Sequence, residues 1–230
     1  MPTNVDALDW PRIDQDLDDY GVAKTGRLLD DGVCDQLISA YEGDGFRSRV
    51  EMARHGFGSG EYQYFDHPLP AAVTSLRAAI YPHAARTANR WATRLGTPPL
   101  PETLEGMEAL CHAAGQTKPT PLLLKYGVGD YNCLHQDLYG AVFFPLQLVV
   151  LLSDPESFEG GEFVLTEQRP RMQSRAEVVA LRRGEGALFA TSERPRTGAK
   201  GDYRVKLRHG VSRIRRGSRM TLGVIFHDAA

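Results

Sequence analysis

The alternation of apolar and polar positions changes period part-way along this chain. Before residue 120 the apolar residues recur at helical spacing. Asp30-Asp31 lead into Val33, Leu37, Ile38 and Tyr41, with acid where a helix N-terminus favours it, and Gly43-Asp44-Gly45 ends the run. Residues 69–95 predict two helices divided at Pro82, the second carrying Ala88, Trp91 and Leu95; Pro98-Pro99-Leu100-Pro101 is a stiff linker and 102–114 a further helix. Residues 1–20, with Asp14, Asp16, Asp18 and Asp19 crowded together, predict only a loose lead-in. In 46–65 glycines fall between aromatic residues, which predicts short strands and turns.

From Leu122 onward the period is two. Residues 122–126, 146–152, 162–166, 187–190, 203–211 and 219–226 read as strands divided by Gly, Pro, Asp or Ser. Six or more short strands without intervening helices predict an antiparallel sandwich or jelly roll. The expected class is α+β in one globular unit: a helical N-terminal buttress or lid region over 1–118, then a β core over 119–230.

Composition narrows the setting. The 42% hydrophobic and 24% charged fractions are those of an ordinary globular protein. The longest apolar run, 141–152, is broken by Pro145 and Gln147, so no membrane span is expected. The acidic N-terminus lacks a secretory pattern, and Cys34, Cys111 and Cys133 make no disulfide framework; a cytoplasmic protein is expected. The net charge of −2 conceals an asymmetry, because residues 1–168 hold 12 Lys+Arg against 24 Asp+Glu, and 169–219 hold 15 against 4. Such a basic block marks either an anionic partner or solvated strand faces.

The candidate chemistry lies in the β region. His135 and Asp137, one residue apart, point to the same side of an extended segment. In 203–211 the positions Tyr203, Val205, Leu207, His209 and Val211 share a face opposite Arg204, Lys206 and Arg208, which turns His209 inward. Alone, such a histidine is ordinarily a satisfied core residue. Joined to His135 and Asp137, it completes the two-histidine, one-carboxylate set that binds Fe(II) on one face and leaves three positions open. Arg219 shares a face with Thr221, Gly223 and Ile225; directed inward, it requires an anion. His55, His67, His83 and His112 lack ligand spacing, His227-Asp228 reads as a cap or surface pair, and Cys133 as a packed residue. Gly56-x-Gly58-x-Gly60 lacks the context of a nucleotide loop, but residues 56–64 are placed to form a lid.

Together these residues resemble the core of Fe(II)/2-oxoglutarate-dependent dioxygenases, in particular the prolyl-4-hydroxylase-like branch. The resemblance rests on His135-Gln136-Asp137, His209, and Arg219 ten positions later. Tyr126-Gly-Val-Gly129 before the ligands, Leu151-Leu-Ser-Asp154 and Gly160-Gly161-Glu162 extend it. It implies a double-stranded β-helix with Fe(II) on His135, Asp137 and His209, and 2-oxoglutarate and O2 as co-substrates. The far carboxylate of 2-oxoglutarate is then expected at Arg219, with Tyr126, Thr221 and Gln147 as further hydrogen-bonding residues. Leu151 stands where some prolyl hydroxylases carry a tyrosine, so that donor is missing. Asp137 favours hydroxylation over halogenation, and relatives often require ascorbate.

For the substrate, the resemblance favours a protein or peptide side chain. The basic 169–219 block raises a second reading, AlkB-type oxidative dealkylation of nucleic acid, although its arginines are not interleaved with aromatic residues. A cupin-like, non-catalytic metal sensor is a third, and Arg219 speaks against it.

Overall fold

The computed structural model describes residues 5–138 and 140–230; the first four residues of the expected lead-in lie outside them. The rest of that segment is not loose. It forms helix α1 (Trp10–Tyr20), which Asp9 caps by accepting from the Arg12 N–H and Gly21 closes in the left-handed conformation. Trp10, Ile13 and Leu17 are buried at i, i+3 and i+7, a narrow stripe that the four aspartates disguise. Helix α2 (Asp31–Ala40) follows as expected, with Asp30 accepting from the Val33 N–H.

Helix α3 (Ala71–Leu95) is one element rather than two. Pro82 interrupts the hydrogen-bond ladder, but both Pro82 and Ala78, whose carbonyl loses its partner, are exposed. Water can satisfy that carbonyl, so the helix continues. α3 packs against α4 (Leu104–Ala113) and the β core, and its Tyr81 meets Phe144 and Phe226 at ring separations of 5.0 and 6.0 Å. On its other side Asp18 of α1 accepts from the Trp91 indole at 2.6 Å and pairs with Arg90.

Fifteen strands among the described residues are numbered in chain order. The larger sheet runs β1 (Val22–Arg27), β11 (Glu185–Ala190), β7 (Leu146–Leu151), β15 (Arg219–Ile225), β5 (Leu122–Tyr126), β4 (Glu61–Phe65), β2 (Phe46–Glu51). The smaller runs β10 (Arg175–Val179), β9 (Phe163–Gln168), β13 (Gly201–Val211), β6 (Tyr131–His135), β3 (Gly58–Ser59), with β12 (Glu193–Gly198) also on β13. β8 (Glu159–Gly160) and β14 (Ile214–Arg216) form a separate pair. This is the jelly roll, in its double-stranded β-helix form, that the period-two half predicts. The N-terminal half, however, is not only helical: β1 pairs with β11 and β4 with β5, so it extends the larger sheet at both ends. β1 escapes a pattern reading because its register breaks at a bulge between Lys24 and Gly26.

Part of the basic block is taken up in ion pairs. Arg183 meets Asp35, Arg216 meets Glu159, and Arg194, wholly buried, meets Glu167. Lys206 and Arg208 stay exposed on the outer face of β13. None of the described helices is long and apolar enough to cross a membrane.

Candidate active site

His209 and His135 face each other across the β13–β6 pairing, their rings 4.3 Å apart. Gly210 permits that approach, since a Cβ there would lie 2.6 Å from the Asn132 carbonyl oxygen. Asp137, just beyond β6, turns inward to both imidazoles, with Nε2 of His135 at 3.4 Å and Nε2 of His209 at 3.3 Å. One ligand atom from each residue lies within 4.8 Å of the others, close enough for a single cation to be shared. Nδ1 of His135 lies 2.8 Å from the Cys133 carbonyl. Donation there leaves the Nε2 lone pair toward the cluster. Cys133 itself is exposed, not packed. Burial alone would raise the Asp137 pKa, but His209 and His135 outweigh it and hold the carboxyl well below its usual range. Burial depresses the His209 pKa, which favours the neutral imidazole that ligation needs.

The same cavity, about 440 Å³, is lined from the opposite sheet by Tyr126, Gln147, Arg219 and Thr221. Arg219 pairs in register with Tyr126, its guanidinium carbon 5.9 Å from the ring centroid. Arg219 is 3% exposed, and burial lowers its pKa to about 10. Its Nη1 and the Tyr126 hydroxyl, both buried, have no hydrogen-bond partner among the described residues. A buried guanidinium with a free N–H beside a free phenol is a place for an anion. Gly161 makes room for it, because a Cβ there would lie 2.9 Å from Arg219 Cδ. Thr221, one row further along β15, pairs with Leu124 and Leu151; Leu151 adds no donor.

Gln147 lines the same cavity but on another row: it pairs with Ile225, six residues along β15 from Arg219.

Sequence reasoning missed several lining residues. Phe163 and Phe189 back the His209 ring, at 6.2 and 4.7 Å between centroids. Their place follows from pairing between strands, Phe189 lying opposite Gln147 on one face. Tyr62 and Tyr64 of β4, with Phe57, also line the cavity. His227 and Asp228, in contrast, are no surface pair. His227 Nδ1 accepts from the Phe144 N–H at 3.1 Å, and Asp228 pairs with Arg77 at 3.0 Å and His112 at 3.2 Å.

A family model described as "Oxygenase, catalysing oxidative methylation of damaged DNA" matches residues 60–229. The chain belongs to that family. An uncharacterized protein found in two strains of Mycobacterium tuberculosis is 49% identical over 168 residues, 72% of either chain. Among solved structures the fold is similar to a prolyl hydroxylase from Trichoplax adhaerens in complex with a hypoxia-inducible-factor peptide fragment. The TM-score is 0.62 at 13% identity, covering 95% of this chain and 89% of that one. A Pseudomonas putida prolyl-4-hydroxylase matches at TM-score 0.55 and 15% identity, covering 96% and 99%. A 2OG-Fe(II) oxygenase-family oxidoreductase from Burkholderia pseudomallei matches at 0.53 and 16%, covering 96% and 92%. The chain is thus an oxygenase of that family, with a prolyl-hydroxylase-like β-helix around a His/Asp/His cluster.

Proposed function

We propose that His135, Asp137 and His209 hold the Fe(II), that Arg219, Tyr126 and Thr221 hold the distal carboxylate of 2-oxoglutarate, and that the enzyme hydroxylates an alkyl group on a nucleobase. The residues fit the absent groups: two imidazoles and a carboxylate suit Fe(II), and the unpaired Arg219 N–H and Tyr126 hydroxyl suit a carboxylate. With the metal bound, O2 contributes one atom to succinate, as 2-oxoglutarate loses CO2, and the other to a substrate C–H bond. On an N-methyl group the product is N–CH2–OH, which breaks its C–N bond to release formaldehyde and leaves N–H.

The protein's own part is placement and shelter. His135 is aimed by its bond to Cys133, Asp137 stays ionised between two imidazoles, and Arg219 anchors the co-substrate at the deep end. The observation that carries the nucleobase reading is the aromatic mouth. Phe57 stacks on His55 (5.3 Å, 20°), and Tyr62 meets Tyr64 edge-on (5.4 Å, 86°). The sequence objection was that the basic block lacks aromatics. Residues 57–64, distant in sequence, supply them at the cavity, where stacking a base is worth about 1–3 kcal/mol. The family description, which names damaged DNA, supports a nucleic-acid substrate.

Hydroxylation of a peptide side chain is the second reading, favoured by the peptide complex of the Trichoplax relative. Succinate release separates catalyst from scaffold: it should vanish in His135→Ala, Asp137→Ala and His209→Ala, and turnover persisting in all three refutes the ligand set. An N-methylated single-stranded oligonucleotide should bind with an affinity that drops steeply as salt is added. No binding at low salt, with hydroxylated peptide products instead, decides for the second reading.

A further inference from the structure

Three residues form a row across the larger sheet at the end of the cavity remote from Arg219. Phe189 on β11 pairs with Gln147 on β7, and Gln147 pairs with Ile225 on β15. Directly paired residues share a face, and all three line the cavity. The row lies beside the metal cluster, because the Phe189 ring is 4.7 Å from that of His209.

Gln147 is 6% exposed, and its amide nitrogen has no hydrogen-bond partner among the described residues. A buried amide in a finished core is satisfied by the protein around it. An unsatisfied one that faces a cavity has its partner in a ligand, and the distal carboxylate assigned to Arg219, six residues along β15, is not that partner. Its neighbours, Phe189 and Ile225, are apolar and offer that ligand no competing polar contact.

We propose that Gln147 is a specificity-determining residue: its amide meets the hydrogen-bonding edge of the base whose alkyl group is oxidised, with Phe189 and Ile225 as apolar walls. The inference rests on the nucleobase reading above. An amide carries donors and an acceptor side by side, which matches a base edge that presents a ring nitrogen or carbonyl next to an amino or N–H group. A plain hydrocarbon would leave the amide buried and unpaired, and is selected against. The Tyr62/Tyr64/Phe57 mouth then contributes stacking without discrimination, and Gln147 supplies the choice among bases.

Gln147→Met and Gln147→Leu keep the volume and remove the hydrogen bonds. Both are compared with the unaltered enzyme on single-stranded oligonucleotides carrying one N-methylated adenine or cytosine, with formaldehyde release measured against oligonucleotide and 2-oxoglutarate concentration. The expected result is a kcat/KM for the preferred oligonucleotide that falls about tenfold or more, and a narrowed preference between the two bases, while the KM for 2-oxoglutarate moves less than about twofold. Either variant suffices if the other folds poorly. An unchanged kcat/KM overturns the assignment, as does a 2-oxoglutarate KM that rises by the same factor, which would return Gln147 to the co-substrate. If the unaltered enzyme turns over no oligonucleotide but hydroxylates peptide, the nucleobase reading fails, and base recognition by Gln147 fails with it. That outcome is distinct from an active enzyme indifferent to residue 147.

Discussion

Arg219 is held in a place where its charge is costly. It is buried against Tyr126, with one N–H unused and its pKa drawn down to about 10. Such a group is stable when its anion is present, so Arg219→Ala should raise the KM for 2-oxoglutarate about 10- to 100-fold, the scale of a charge-assisted hydrogen bond. Fe(II) affinity, measured by anaerobic titration, should hardly change, because Arg219 is not in the ligand cluster. An unchanged KM would place the distal carboxylate elsewhere. At this scale the sequence was informative where chemistry and alternation coincide. The parity of 203–211 turns His209 inward, and the structure agrees, with Val205, Leu207 and His209 buried and Arg204, Lys206 and Arg208 exposed. The place of Gln147 depends on the pairing of β7 with β15, which a single strand's pattern does not contain.

Elements were legible when their own pattern was strong and obscured when tertiary contacts made them. The β core announces itself by alternation, the short strands of 46–65 by glycines between aromatic residues and the second helix by its cap, whereas β1 exists only as an addition to a sheet built elsewhere. The segment joining Asp137 to β7 is a similar case. It is fastened from outside by Gln116, which accepts from the Val142 N–H at 2.8 Å and donates to the Val142 carbonyl, and by His227, which accepts from Phe144. Burial, then the positive charge of Arg77, lowers the His227 pKa to about 4. Unfolding restores it to about 6.5, so between these values the unfolded chain takes up a proton that the native state refuses. This contribution to stability is intact above pH 6.5 and is lost as pH falls toward 4, by up to about 3 kcal/mol. His227→Gln retains an acceptor for Phe144 but cannot titrate. The stability difference between the two proteins in urea should therefore narrow between pH 6.5 and 4, and a difference independent of pH would contradict the assignment.

The whole molecule is held together by long-range ties. Arg77 on α3 joins Glu108 of α4, the Ile225 carbonyl and Asp228, and Arg194 on β12 joins Glu167 on β9 to the carbonyls of Asp18 and Asp19 at the end of α1. Arg194 is wholly inside, so removing the Asp18 and Asp19 carbonyls that accept from it leaves its buried charge short of partners. The family match begins at residue 60, yet those acceptors, and the strand that covers the edge of β11, all precede it. A chain starting at residue 60 should therefore aggregate or melt well below the full chain, as scattering and calorimetry can show; a stable monomer would argue otherwise. What inheritance recognises in this protein and what folds are thus different lengths of polypeptide. A saturation mutagenesis screen should find intolerant positions around Leu17 and Val22, far from any substrate, where comparison with the family alone would mark the chain as dispensable.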